Sequence, residues 1–185
     1  MVDYGNKLSI MDKLIIGIIL FLTSISCSKD ELKDDELVLS KKAYLGNQLR
    51  VDGYFYQKKD NIYSTVYLFY RNGVVLYVGG GYSEVDLLSM ESSLIDGSFY
   101  NLAKSDKLSW GVHNISGNSI AFERWYPSNG GGFPSYVRSG EILNDSTFHI
   151  SKSIRFKELE VNDKNETYHF KQFSHKPDST NSFAN

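Results

Sequence analysis

From Leu49 onward, short runs of β-branched and aromatic residues alternate with turn-forming pairs, and this punctuation constrains the fold more than any other feature of the chain. Arg50–Gln57 (RVDGYFYQ) and Tyr63–Arg71 (YSTVYLFYR) read as strands, and Asn72-Gly73, a two-residue hairpin signal, leads into Val74–Val78. Trp110–Ile115 and Ile120–Trp125 form a second hairpin around Gly117-Asn118, and Tyr136–Leu143 with Thr147–Ile150 a third around Asn144-Asp145. Ile154–Val161 is a further candidate strand, and Tyr168–Phe173 ends the series. The total of roughly eight antiparallel strands suits an up-and-down barrel whose interior is filled by side chains or holds one small ligand. Composition agrees, because 13 Tyr, 11 Phe and 2 Trp against 3 Pro favour half-buried pleated surfaces. The expected fold is therefore mainly β, an antiparallel up-and-down barrel of roughly eight strands with one helix.

That helix is predicted at about 83–95. Ser83 opens an S-x-x-D capping box with Asp86, Leu87, Met90 and Leu94 fall on one helical stripe, and Asp96-Gly97 ends it. The stripe predicts core packing for those three residues, with the helix as a lid or plug against one end of the sheet. Tyr63–Arg71 is apolar or aromatic on both faces, with Tyr63, Tyr67 and Phe69 on one and Val66, Leu68 and Tyr70 on the other, so it is expected to be covered on both sides.

Upstream, Lys13 precedes the hydrocarbon run Leu14–Leu22 (LIIGIILFL), and the small residues Ser24 and Ser26 lie just before Cys27, the only cysteine. Charged, apolar and small-residue regions in that order are the layout of a secretory signal, and the run is shorter than the about 20 apolar residues a membrane span requires. Residues 1–26 are expected to be a signal peptide with a signal helix, Met11 being an alternative start. With one cysteine no intramolecular disulfide exists, and FLTSISC resembles a bacterial lipobox, with Ser24 where Leu is usual. The resemblance implies a lipid on Cys27. Residues 27–47 then read as lipidated cysteine and acidic tether, a solvated spacer too polar to pack. Its run of Asp30, Glu31, Asp34, Asp35 and Glu36 resembles the signal that sends Bacteroidota lipoproteins to the outer face of the outer membrane. The expected location is thus lipid-anchored in the outer membrane, at the cell surface, with the periplasmic face as the alternative. A β domain over 48–174 and a polar, flexible tail over 175–185 complete the organisation.

Several chemistries lack support. Net charge is −2, without the basic excess that nucleic acid would attract. Gly79-Gly80-Gly81 is not followed by Lys-Ser or Lys-Thr, so it is no phosphate loop. His113, His149, His169 and His175 lack the close spacing of a helical zinc motif, so no metal or cofactor is expected. No G-x-S-x-G elbow is present, so no catalytic residue is assigned. Glu123 and Glu141 could form a glycosidase-like pair on adjacent strands, or be cross-strand partners of Arg124 and Arg138.

The densest unusual segment is Glu123–Arg138 (ERWYPSNGGGFPSYVR), where Trp125, Tyr126, Phe133 and Tyr136 flank a glycine-rich loop beside Arg124 and Arg138. Aromatics in a loop either stack on a sugar or planar ligand or close the barrel end. Trp125, Tyr126, Phe133, Tyr136 and Arg138 are the candidate ligand-binding residues, with the loop as a ligand-facing rim. Arg138 is preferred to Arg124 as partner of Trp125, since adjacent strand residues point to opposite faces.

The run from Trp110 to Ile150 resembles the C-terminal half of small Bacteroidota lipoproteins with a lipocalin-like barrel, through Trp110-Gly111, Trp125-Tyr126-Pro127, Gly140-Glu141-Ile142-Leu143 and Asn144-Asp145. Where lipocalins carry G-x-W near the first strand, this chain has Gly53-Tyr54-Phe55. Asp145-Ser146-Thr147 and Asp178-Ser179-Thr180 resemble an O-glycosylation acceptor of exported Bacteroidota proteins. The functional expectation is an anchored module whose barrel binds a small hydrophobic or glycan ligand or an envelope partner. The alternatives are an enzyme on the same scaffold and a structural lipoprotein with a filled core; oligomeric state is left open.

Overall fold

A computed structural model describes residues 33–184. The expected signal helix, Cys27, Asp30 and Glu31 lie outside the described residues. From Asp34 onward the chain forms an eight-stranded antiparallel barrel closed in sequence order. Its strands are β1 (Gly53–Lys59), β2 (Ile62–Phe69), β3 (Val74–Gly79), β4 (Trp110–Ser116), β5 (Ser119–Trp125), β6 (Ser135–Asn144), β7 (Thr147–Arg155) and β8 (Glu160–Gln172). Closure comes from β1 pairing with β8, Gly53 opposite Gln172 and Phe55 opposite Phe170, which removes the exposed sheet edges of an open meander.

The hairpin signals explain one end of the barrel. At Asn72-Gly73 the glycine takes φ 86°, which only glycine adopts without strain, and Gly117-Asn118 turns β4 into β5. The third turn falls one residue later than its signal, on Asp145-Ser146, with Asn144 Oδ1 accepting from Ser146 N at 3.0 Å. Tyr44 and Leu49 are buried against this end, where Arg50 N donates to Asp145 O at 2.8 Å, so it is sealed by the chain's own approach to β1. The longer connections gather at the opposite end: 80–109, 126–134 and the short 3-10 turn Phe156–Glu158. That turn corrects the candidate strand Ile154–Val161. β7 ends at Arg155, and Leu159, with a left-handed φ of 53°, closes the turn and leads into β8 at Glu160.

Period-two alternation sorts the strands into two cores. Inside the barrel, Phe55, Phe69, Phe122 and Phe148 make a mutually packed aromatic layer, Phe148 stacked on Tyr168 at 4.8 Å. Each such ring contributes about 1.5–3 kcal/mol through burial. Outside it, Tyr54, Val66, Leu68, Leu76, Val78 and Trp110 form a second cluster. The double coverage expected for Tyr63–Arg71 is present, with one exception. A bulge between Gln57 and Lys58 leaves Ser64 unpaired and turns Tyr63 to the outer cluster, away from Tyr67 and Phe69.

That outer cluster is completed by helices. α1 (Glu84–Ile95) carries the expected capping box between Ser83 and Asp86, and Leu87, Met90 and Leu94 are buried. It corrects the lid or plug expectation: those residues pack on the outer wall, and Tyr54 donates to Glu91 at 2.6 Å across the contact. A short second helix, α2 (Ser98–Ala103), follows, with Trp110 Nε1 donating to Ala103 O at 2.7 Å.

The acidic segment differs from the expected solvated spacer. Asp35 is only 7% exposed and accepts from Arg155 Nε at 2.9 Å, Lys157 Nζ at 3.1 Å and Ser135 N at 3.2 Å. Burial opposes its charge, but these donors outweigh it and hold the carboxyl below its ordinary value. Asp34 pairs with Lys107 at 2.7 Å and accepts from Phe133 N at 2.8 Å. Farther along, Val38 N and Leu39 N each donate to the buried Glu123 at 2.8 Å. Residues 34–39 are therefore a strap lying along the barrel wall. The tail differs likewise: Lys176 donates to Val51 O at 2.7 Å and Phe69 O at 2.6 Å, and Ala184 is buried in the outer cluster.

Candidate functional site

At the end opposite the tight hairpins, the interior changes from phenylalanine to tyrosine and charge. Arg124 on β5 has Gly111 and Tyr136 as its cross-strand partners. A Cβ at Gly111 would meet Glu123 O at 2.1 Å, so glycine is required where the strands approach there. The Arg124 guanidinium lies 3.9 Å from both the Tyr77 and the Tyr126 ring centroids, sandwiched by two π faces. Its Nε donates to the Tyr67 hydroxyl at 3.3 Å, and Nη1 donates to Leu108 O at 3.2 Å and Trp125 O at 3.0 Å. Arg138 on β6, facing the same interior, pairs with Glu166, which also accepts from the Tyr168 hydroxyl at 3.0 Å. Burial pushes the phenols of Tyr77, Tyr126 and Tyr168 upward, so all three are neutral donors at physiological pH.

Arg124, Tyr77 and Tyr126 line a cleft of about 510 Å³ at this mouth, with Phe99, Leu108 and Pro127 as apolar walls. Asp106, the one acid among the lining residues, is engaged: it accepts from Leu108 N at 3.0 Å and Ser109 Oγ at 2.7 Å. A groove of about 600 Å³ on the outer face of β5–β7 is larger but shallow in character, lined by Ser119, Ala121, Ser139 and Ser151 beside Glu141 and His149, with no aromatic wall.

The residues singled out in the sequence divide between two places. Tyr126, Tyr136 and Arg138 come together, the tyrosine rings edge to face at 5.4 Å and Arg138 5.6 Å from the Tyr126 centroid. Trp125 and Phe133 do not join them. Trp125 is turned to the outer wall, 4% exposed, with Nε1 donating to Asp35 O at 2.6 Å and Lys107 Nζ 4.2 Å from its ring. Phe133 holds the strap through its backbone, its carbonyl accepting from Asp35 N at 2.9 Å. The expectation of a ligand-facing Trp125–Tyr136 rim therefore gives way to a loop that fastens the strap. Adjacent-residue parity correctly separated Trp125 from Arg124, but it is Arg124 that lines the mouth cleft. Tyr77, Phe99 and Leu108 carried no sequence signal, because they enter from β3 and the long 80–109 connection.

The proposed acid pair does not form. Glu123 stands opposite Val137 while Glu141 stands opposite Ser119, four positions apart along β5, roughly 13 Å. That exceeds the about 6.5–9.5 Å of inverting glycosidases. Nor do the two acids serve the arginines, which face the interior while Glu123 lies under the strap. Burial raises the Glu123 carboxyl, and its donors from Leu39, Ser135 and Val38 oppose that rise. Among the described residues no group of three histidine, cysteine, aspartate or glutamate side chains could hold a metal ion. Comparison with protein-family models, curated proteins and solved structures found no match.

Proposed function

We propose that this chain is an exported lipoprotein, held in the outer membrane by a lipid on Cys27 and displayed at the cell surface, whose barrel binds a small hydrophobic molecule at its mouth. The mouth cleft carries the binding reading. Its about 510 Å³ lies within the size range of small-molecule sites, and aromatic and aliphatic walls surround a few polar groups. The aromatic layer fills the barrel below it and confines a ligand to the mouth. Apolar walls favour a hydrophobic molecule over a glycan.

Binding is tested with N-phenyl-1-naphthylamine, a neutral probe that fluoresces in apolar surroundings, on the full chain in lipid nanodiscs with empty discs subtracted. Saturable binding is expected, lost in Leu108→Trp, which fills the cleft. Equal signal in that variant would remove the mouth as the site.

The anchor rests on the apolar run ending at the sole cysteine. Cys27→Ser is expected to abolish labelling by radioactive palmitate; retained label would refute it. For surface display, Asp34 and Asp35 must be left intact, because they fasten the strap. Changing Asp30, Glu31 and Glu36 to alanine is expected to lower accessibility to external protease on intact cells with the melting temperature unchanged. Unaltered accessibility would discharge those acids from any sorting role.

A further inference from the structure

Arg124 is a buried cation without a counter-ion among the described residues. It is 6% exposed, and none of the ion pairs among the described residues includes it, whereas Arg138, the other arginine inside the barrel, has Glu166. Guanidinium does not lose its proton in proteins, and a buried charge left unpaired is costly. Two tyrosine faces, one hydroxyl and two carbonyls offset part of that cost, but none of them carries a negative charge. They occupy Nε and Nη1 and leave Nη2 without a protein acceptor among the described residues. Two buried donor atoms nearby have no hydrogen-bond partner within bonding distance among the described residues: the Tyr126 hydroxyl, which lies beside the Tyr67 hydroxyl, and Arg138 Nε. A buried donor left without a partner is costly. Tyr126 is the ring on which Arg124 lies, and both line the apolar cleft.

A fixed cation beside orphaned donors, opening onto an apolar cleft, is complementary to a molecule with one acidic head and a hydrophobic body. Stacking between Tyr77 and Tyr126 holds the guanidinium plane in place, so its remaining edge is presented ready-oriented to a flat acid group. We propose that the mouth cleft selects amphipathic monoanions, the carboxylate or equivalent acid seated on Arg124 and Tyr126 and the apolar body against Leu108, Phe99 and Pro127. This deepens the binding reading above and rests on it.

The test compares two probes that differ only by an acid group: 1-anilinonaphthalene-8-sulfonate and the neutral N-phenyl-1-naphthylamine, each titrated into the full chain in nanodiscs with empty discs subtracted. The acidic probe is expected to bind roughly ten- to a hundredfold more tightly, the range of one hydrogen bond to a charged group. Decanoate is expected to displace it at lower concentration than decanol. Arg124→Met, which keeps an apolar stem between the tyrosines, is expected to erase the preference while leaving neutral binding, and Arg124→Lys to retain much of it. Equal affinity for both probes overturns the acid head and leaves the mouth as a binding site. Binding of neither overturns both readings. A preference that survives in Arg124→Met places the anion elsewhere and also overturns the proposal. Should the methionine variant not fold, the wild-type probe pair and the lysine variant decide.

Discussion

Replacing Trp125 with alanine is expected to destabilise the barrel by about 3–5 kcal/mol, the range for truncating a buried large aromatic. The ring is sealed beneath the strap, and its loss also strands the Asp35 carbonyl that accepts from Nε1. For a unit of this size such a loss lowers the melting temperature by roughly 6–20 °C. Trp125→Phe keeps a ring but deletes the donor, and is expected to cost about 1–3 kcal/mol. Thermal unfolding followed by circular dichroism measures both. A loss under about 1 kcal/mol for the alanine variant would mean that the strap does not cover this ring and that Trp125 is exposed after all.

Acid is expected to unfold the barrel partly through His113. Its Nε2 donates to Tyr70 O at 2.8 Å, while Nδ1 is buried without a partner and the ring packs edge-on to Phe69 at 5.1 Å. Adding a proton would therefore place an unsatisfied charge in the core. Burial, with a smaller contribution from the Lys176 charge that the Tyr70 carbonyl opposes, pushes the imidazole from 6.5 down to about 4. The unfolded chain consequently binds the proton first as pH falls. Stability from this residue is complete above pH 6.5 and is lost progressively towards pH 4, by about 3 kcal/mol in all. Glu123, raised by burial, works with the opposite sign over the window just above its ordinary value. The difference between wild type and His113→Gln isolates the histidine: urea midpoints from pH 7 to pH 4 should fall more steeply in the wild type. Parallel slopes would show that His113 does not titrate on unfolding.

What could be read from the sequence was what local chemistry dictates. Asn72-Gly73 and Gly117-Asn118 are turn signals within two residues, and the Ser83–Asp86 box within four, so the hairpins and α1 were legible together with the strand total and the three buried helix residues. Direction across the sheet was not. With apolar groups on both faces of Tyr63–Arg71 and aromatics on both sides of Arg124, alternation separates two sets without naming which one is interior, and the Ser64 bulge then moves Tyr63 from one set to the other. The strap was illegible for another reason. Asp34 and Asp35 resemble solvated acids because their partners Lys107, Arg155 and Lys157 lie far along the chain. The same distance hid the mouth: Arg124 was visible as a residue, but its lack of an ion pair among the described residues is a property of the closed barrel.

Strap placement also ties the chain's approach to the barrel mouth. Asp34 is fastened beside the opening, by Lys107 from the turn that borders the cleft and by Phe133 from the neighbouring loop. A pull on the chain upstream of the strap would therefore load the loops that border the cleft before it reached any strand of the barrel.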